Sequence, residues 1–329
     1  MLFKFFRLTA AVCAVFLLVS ISEPALAWND VGHMTVAGIA YKHLNAATKA
    51  HCDALLKLNP YYENWLSSVP RSATAEEKSM IVFMLAATWP DVIKGDKAFS
   101  ADGSNGGHKP EGAIAVRNIG YEDHLLHKYW HFVDYPFNDD GSALPAVPSP
   151  NAETEISEFS KSLGSSKSDS IKSYDLTWLI HIVGDLHQPM HCVTRVTNGH
   201  PDGDNGGNMV KIHTVNGDSN LHAYWDNMLG MDNSPYKVMR LVKKLSPAVT
   251  KNSKPKIEAG ADLQLDKIHE WTQESVILAK QDVYSGPIGK GNGPFFVDRR
   301  YKKRSVILAR KQVAKAGVRL ADLLNSSLH

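Results

Sequence analysis

Tyr174-Asp175-Leu176-Thr177-Trp178-Leu179-Ile180-His181-Ile182-Val183-Gly184-Asp185-Leu186-His187-Gln188-Pro189-Met190-His191 decides how this chain is read. From Tyr174 to Leu186 the aromatic and aliphatic residues fall on more than one helical face, the pattern of a central buried helix. Gln188-Pro189 is where such a helix must break or kink. Within it, His181 and Asp185 are four residues apart. Four residues advance about 400°, so the two side chains sit about 40° apart on one face. An imidazole and a carboxylate so placed form a two-ligand plate for a divalent metal. Imidazole favours zinc over magnesium or calcium. His222 and Asp226 repeat the spacing, and His191 lies between the two pairs. A single His-x-x-x-Asp reads most simply as a surface ion pair. Two copies flanking a third histidine, in a chain with fifteen histidines, point instead to a metal centre.

Outward from this stretch the chain reads mostly as helix. Val36, Ile39, Ala40 and Leu44 follow helical spacing. Thr74-x-x-Glu77 is a capping-box signature ahead of the apolar run Ile81 to Ala87. Leu265 to Val283 and Arg300 to Leu324 predict two further long helices. Gly95 to Gly112, Pro136 to Pro150, Leu163 to Ser173 and Asn198 to Asn208 read as loops, none biased enough to divide domains. Strand patterns are scarce, and Met209 to Val215 is the best candidate for a short hairpin. The expectation is one mainly α domain over residues 28–329.

The first 27 residues are set apart from this domain. Lys4 and Arg7 precede an apolar run from Ala10 to Val19, and Ala25-Leu26-Ala27 is a small-x-small cleavage site. The run is short for a bilayer span, and no later stretch approaches twenty apolar residues. The reading is a secretory signal peptide cut between Ala27 and Trp28, a secreted or periplasmic product, and no stable membrane insertion afterwards. Cys52 and Cys192 then remain, as one bridge or as two buried thiols. At 329 residues, 43% hydrophobic and 21% charged, the composition is globular. A net charge of +2 argues against holding nucleic acid on a broad basic surface.

Further candidates lie upstream: His33, Asp91 after Trp89-Pro90, and His131 and Asp134 in Trp130-His131-Phe132-Val133-Asp134. With Trp28-Asn29-Asp30-Val31-Gly32-His33, the central motif, Gly206-Gly207-Asn208 and Asn220-Leu221-His222-Ala223-Tyr224-Trp225-Asp226, they stand in the order that resembles the S1/P1 nucleases. Those are secreted, trinuclear-zinc, single-strand-specific nucleases that share a multi-helix fold with zinc-dependent phospholipase C. The closing Ala316 to Asn325 also resembles that family's last helix, so the likeness runs from Trp28 to the C-terminus.

The resemblance implies three zinc ions. Asp91, His131, His181 and Asp185 would hold one, and His191, His222 and Asp226 a second. The amine and carbonyl of Trp28, with His33 and a bridging Asp185, would hold the third. It implies a zinc-activated bridging water that attacks phosphorus and leaves 5′-phosphate ends, on single-stranded DNA, RNA and 3′-nucleotides. Phe132 matches the base-stacking aromatic, Asn208 the amide that meets the base edge, and Asp134 a carboxylate near the reacting phosphate. Lys94 stands where the family often has arginine, keeping the charge and losing the bidentate fork. No obligate protein partner is implied. A phospholipase C resembles this scaffold but ends its ligand set in His-x-x-x-Glu, where this chain has Asp226. A non-catalytic zinc-binding protein would need neither Asp134 nor a base pocket. His187, about 240° round the helix from His181, is expected to face elsewhere. The basic run Arg299, Arg300, Lys302, Lys303 and Arg304 reads as a solvated helix start. Asn325-Ser326-Ser327 is a glycosylation sequon only where the source glycosylates exports.

Overall fold

The computed structural model describes residues 28–103, 117–249 and 261–328. The expected leader 1–27 and part of the loop Gly95 to Gly112 lie outside the described residues. In chain order the helices and strands are α1 (Asp30–His43), α2 (Ala46–Leu56), α3 (Tyr62–Ser67), α4 (Ala75–Ala86), α5 (Trp89–Val92), β1 (Tyr135–Phe137), α6 (Ala152–Leu163) and α7 (Asp169–Leu186). After these come β2 (Val193–Arg195), β3 (Lys211–Thr214), β4 (Gly217–Asn220), α8 (Leu221–Asp226), α9 (Pro235–Val249), α10 (Ala261–Leu278), β5 (Phe295–Phe296) and α11 (Arg299–Ser327).

Side chains set where the helices begin. Asn29, Asn45, Ser168, Asn220 and Asp298 each accept an amide of the first turn that follows, fixing the starts of α1, α2, α7, α8 and α11. Thr74 and Glu77 close the expected capping box at α4. Asn151 and Thr154 close another at α6.

Helix α7 is buried on every side from Ser173 to Leu186, as its sequence predicts. It is surrounded by α6, α2, α1 and α11. Helix α11 lies directly on α1 because Gly317 has no side chain: a Cβ there would come within 2.6 Å of Ile39. Trp178, near the middle of α7, is fully buried among Trp89, Trp130 and Tyr174. Truncating such an aromatic typically costs about 3–5 kcal/mol.

The stretch Met209 to Val215, expected to be a hairpin, supplies only its first strand: β3 pairs with β4, beyond that stretch, from Lys211↔Asn220 to Thr214↔Gly217. Two short additions accompany it. β5 joins β3 in parallel, and β1 pairs with β2 in parallel through Tyr135↔Val193. Strands of two or three residues carry too little alternation to register in sequence. The helix expected over Leu265 to Val283 is α10 followed by a wider π turn, Ala279–Val283. Cys52 and Cys192 are free, buried thiols.

Candidate metal centre and nucleotide pocket

Three histidines of the centre are fixed in the same way. Nδ1 of His181 donates to the Ala87 carbonyl at 2.7 Å, Nδ1 of His191 to the His131 carbonyl at 2.8 Å, and Nδ1 of His222 to the Gly206 carbonyl at 2.7 Å. Burial pushes His181 and His222 down to about 4 and His191 well below the usual histidine range. The rings are therefore neutral, and with the proton on Nδ1 each turns an Nε2 lone pair inward. A backbone carbonyl behind an imidazole is the usual way a metal ligand is oriented.

The lone pairs converge. Nε2 of His191 and Nε2 of His222 are 3.1 Å apart. Asp226 stands beside them, its Oδ2 at 3.6 Å from His222 Nε2. Gln188 donates to Asp226 Oδ1 at 2.7 Å, while Oδ2 is buried without a partner. A second group surrounds His181. His131 Nδ1 is 2.9 Å from His181 Nε2, Asp185 Oδ2 is 3.2 Å from it, and Asp91 Oδ1 is 3.9 Å from it. In the third, His33 Nε2 lies 3.3 Å from Asp185 Oδ1, with the His33 ring stacked on His181 at 3.8 Å. Neither nitrogen of His33 has a hydrogen-bond partner, nor has Asp185 Oδ1. Three groups thus offer ligand atoms close enough to share an ion: His33, His181, Asp185; Asp91, His131, His181; and His191, His222, Asp226. Asp185 belongs between two of them, one carboxylate oxygen turned to each. Burial pushes Asp185 and Asp226 well above the usual carboxylate range. That is the cost of enclosing negative charge, and divalent cations would offset it. Neutral imidazoles and buried carboxylate oxygens without hydrogen-bond partners fit a metal.

Trp28 is fully buried at the head of α1. The next residue pins that end of the chain to the centre. Asn29 N donates to the Asp226 carbonyl at 3.3 Å, and Asn29 Nδ2 donates to Asn227 Oδ1 at 2.8 Å and to the Gly230 carbonyl at 2.6 Å. Lys94 Nζ is 2.6 Å from Asp91 Oδ1, so its charge sits against the centre.

Beside the centre opens a pocket of about 310 Å³. Phe132 and Asp134 line it with Pro145, Pro148, Asn151 and Thr194. Asp134 is held at φ 51°, in the left-handed region that non-glycine residues rarely adopt. Burial and the charge of Asp204 push its carboxyl up to about 7. Asn208 is not one of the pocket's walls; its Nδ2 donates to the Asn205 carbonyl at 2.8 Å. His187 faces away, as expected, with Nδ1 on the Val183 carbonyl and Nε2 accepting from Arg319 at 2.9 Å. Asn325 is tied down, its Nδ2 donating to the His43 carbonyl and its Oδ1 accepting from Asn45.

One supporting group was not anticipated. The Asp204 carboxylate accepts from Arg195 N at 2.9 Å, Gly207 N at 3.1 Å and the Tyr284 hydroxyl at 2.7 Å. It thereby holds a turn in which Asn205, Gly206 and Gly207 all have positive φ. The carbonyl that orients His222 belongs to this turn. Gly206 is required there, because a Cβ would meet the Met190 carbonyl at 2.6 Å. Asp-Asn-Gly-Gly is a legible turn signal in sequence; its task of aiming a histidine is not.

Residues 28–329 match the S1/P1 nuclease family. The chain belongs to the S1/P1 nuclease family. It is similar to Endonuclease 3 of Arabidopsis thaliana, 25% identical over 326 residues that cover 95% of this chain and 93% of that protein. Endonuclease 4 of the same plant is 26% identical over 324 residues, covering 94% and 92%. Nuclease S1 of Aspergillus oryzae is 22% identical over 218 residues, covering 63% and 56%. As an S1/P1 nuclease the chain is a hydrolase acting on nucleic acid, and its clustered histidines and aspartates are suited to metal. Among the described residues, no helix of this S1/P1 nuclease is long and apolar enough to cross a membrane.

Proposed function

We propose that this S1/P1 nuclease is an exported three-zinc enzyme that cleaves single-stranded DNA and RNA to 5′-phosphate products and also hydrolyses 3′-nucleotides. The observation that carries the reading is the convergence of unprotonated Nε2 atoms and unpartnered carboxylate oxygens in three adjoining groups. Asp91, His131, His181 and Asp185 would hold one zinc, and His191, His222 and Asp226 another. His33, Asp185 and the amine and carbonyl of Trp28 would hold the third. Bound there, zinc supplies Lewis acidity and brings the pKa of water towards neutrality.

The chain's own residues supply the rest. Phe132 offers one face to an unpaired base, which a base inside a duplex cannot meet; this favours single strands. Asp134, in the same pocket and titrating near neutrality, is placed to exchange a proton with a bound nucleotide. Lys94 counters the charge of Asp91 and adds positive field towards the phosphate. Asn208 would need to release the Asn205 carbonyl before reaching a base edge.

The role given to Trp28 rests on cleavage after Ala27. A preceding residue turns the amine into an amide whose lone pair is delocalised. Protein beginning at Trp28 is expected to hold three zinc ions and to be active. Protein beginning with one extra methionine is expected to hold about two and to be nearly inactive. Zinc stoichiometry and turnover of 3′-AMP on both forms test this, and equal values would remove the amine from the site.

A further inference from the structure

The most exposed aromatic side chain among the described residues lies outside the pocket. Phe296, on β5, is 76% exposed. It pairs in register with His213 on β3, and the two rings are 5.0 Å apart on one face of the small sheet. Asp218, opposite on β4, orients the imidazole by accepting from His213 Nδ1. Lys211, two residues before His213, projects from the same face.

Cations gather next to this face. Arg299 follows Phe296 by three residues, a span of at most about 10 Å. Arg299, Arg300, Lys302 and Lys303 are all exposed at the start of α11. Among the described residues none of these four, nor Lys211, pairs with a carboxylate. The remaining member of the run, Arg304, is engaged by Asp282 and Ser285. Asp298 is the nearest acid in the sequence, and its carboxylate is occupied by the Tyr301 amide. In a chain with 36 basic and 34 acidic residues, such a run of unpaired cations is a local departure from neutrality.

The position of the face matters. Strand β4 runs directly into α8, which carries His222 and Asp226. In the sheet register Lys211 stands opposite Asn220, next to α8, and the ring pair lies level with Asp218, two residues further out, so a strand leaving along β4 would pass Lys211 and then the ring pair.

We propose that the Phe296–His213 face, flanked by Lys211, Arg299 and Arg300, is a second contact surface for single-stranded polynucleotide. It would stack bases of the strand beyond the cleaved bond and hold its phosphates. The proposal rests on the nuclease reading above. Stacked aromatic and basic side chains are the combination that binds single strands without reading sequence.

The test compares long and short substrates on the zinc-loaded enzyme. The probes are a phosphorothioate-linked thymidine 20-mer for binding, by fluorescence anisotropy, and 3′-AMP for turnover. Phe296→Ala is expected to weaken 20-mer binding about fivefold or more. Arg299→Ala with Arg300→Ala is expected to lower the slope of log affinity against log salt by about 1 to 2. Both variants should turn over 3′-AMP at the wild-type rate. Unchanged 20-mer binding in both variants overturns the proposal. So does an equal fall on 20-mer and 3′-AMP, which would mean damage to the hairpin feeding His222. Loss of binding to phosphatidylglycerol vesicles, with 20-mer binding intact, would overturn it in favour of a lipid surface. A wild-type enzyme that neither binds the 20-mer nor turns over 3′-AMP would instead refute the underlying nuclease reading.

Discussion

His191 Nε2 and His222 Nε2 face each other at 3.1 Å, and neither holds a proton to share, because each ring has placed its proton on Nδ1 against a carbonyl. Two lone pairs at that distance repel unless a cation lies between them. A metal bound between them would remove that repulsion in the folded state alone, and so would couple to stability. Chelation at pH 7 is expected to lower unfolding free energy by about 3 kcal/mol or more. His222→Ala should lose one metal per chain, and Asp185→Asn should lose more, since its Oδ1 faces His33 and its Oδ2 faces His131. Elemental analysis beside calorimetric melting checks both. Full metal content and wild-type turnover in Asp185→Asn would contradict its shared role.

Phe132 stands next to His131, a proposed metal ligand, but turns into the pocket. Phe132→Ala is expected to cost about 1–3 kcal/mol in nucleotide binding, read as a rise in KM for 3′-nucleotides. Zinc content should stay at the wild-type level. If zinc falls with affinity, the ring is packing the centre rather than holding a base.

Asp204 touches no ligand atom, yet it holds the turn whose carbonyl aims His222. Asp204→Ala removes the oxygen that accepts from both the Arg195 and Gly207 amides. Metal affinity at the His191–His222–Asp226 group is expected to fall about 10- to 100-fold, the usual penalty for disturbing a ligand's support. Added zinc should restore turnover. Zinc titration of the apoprotein by calorimetry reads this directly; a variant with reduced turnover that excess zinc cannot recover would point to wider misfolding.

Glu155 gives a pH dependence separate from the centre. It is buried on α6, and burial together with the charge of Glu158 pushes it up to about 8. Nearby His127 works the other way on Glu155; burial lowers His127 itself, but hydrogen bonds to Asp102 and Asp123 raise it on balance. Between about 4.5 and 8 the unfolded chain ionises Glu155 while the folded one keeps the proton. The folded state then binds more protons, so stability falls as pH rises through that window. The slope is on the order of 1 kcal/mol per pH unit. Glu155→Gln should remove it, gaining on wild type as pH rises from 5 to 8.5. Melting curves of both proteins that stay parallel across this range would refute the assignment.

Much of this was legible because α7 writes its role twice. Its apolar residues on every face announce burial, and His181 with Asp185 announces a plate on one face of it. His222 and Asp226 repeat the plate on a helix of only six residues. Sequence alone would not have called that segment a helix; spacing and family order supplied the reading. The supports were not legible. Ala87, His131 and Gly206 act through carbonyls, which every residue possesses, so nothing in the side-chain text marks them. Asp204 is distant from Tyr284 in sequence, and the pairing of Tyr135 with Val193 spans more than fifty residues. Asn208 shows what order cannot supply: Gly-Gly-Asn gives it a place in the sequence, while its amide donates locally to the Asn205 carbonyl.

The bonds from Asn29 to Asp226, Asn227 and Gly230 join the head of the domain to a segment almost two hundred residues later. The ligand groups are strung along the same interval, from His33 to Asp226. A ribosome therefore releases no competent catalyst until Asp226 has been added and brought back to the first helix. Partial chains that stop short of Asp226 carry these histidines without the closed centre, so the arrangement can form only after most of the domain has been made.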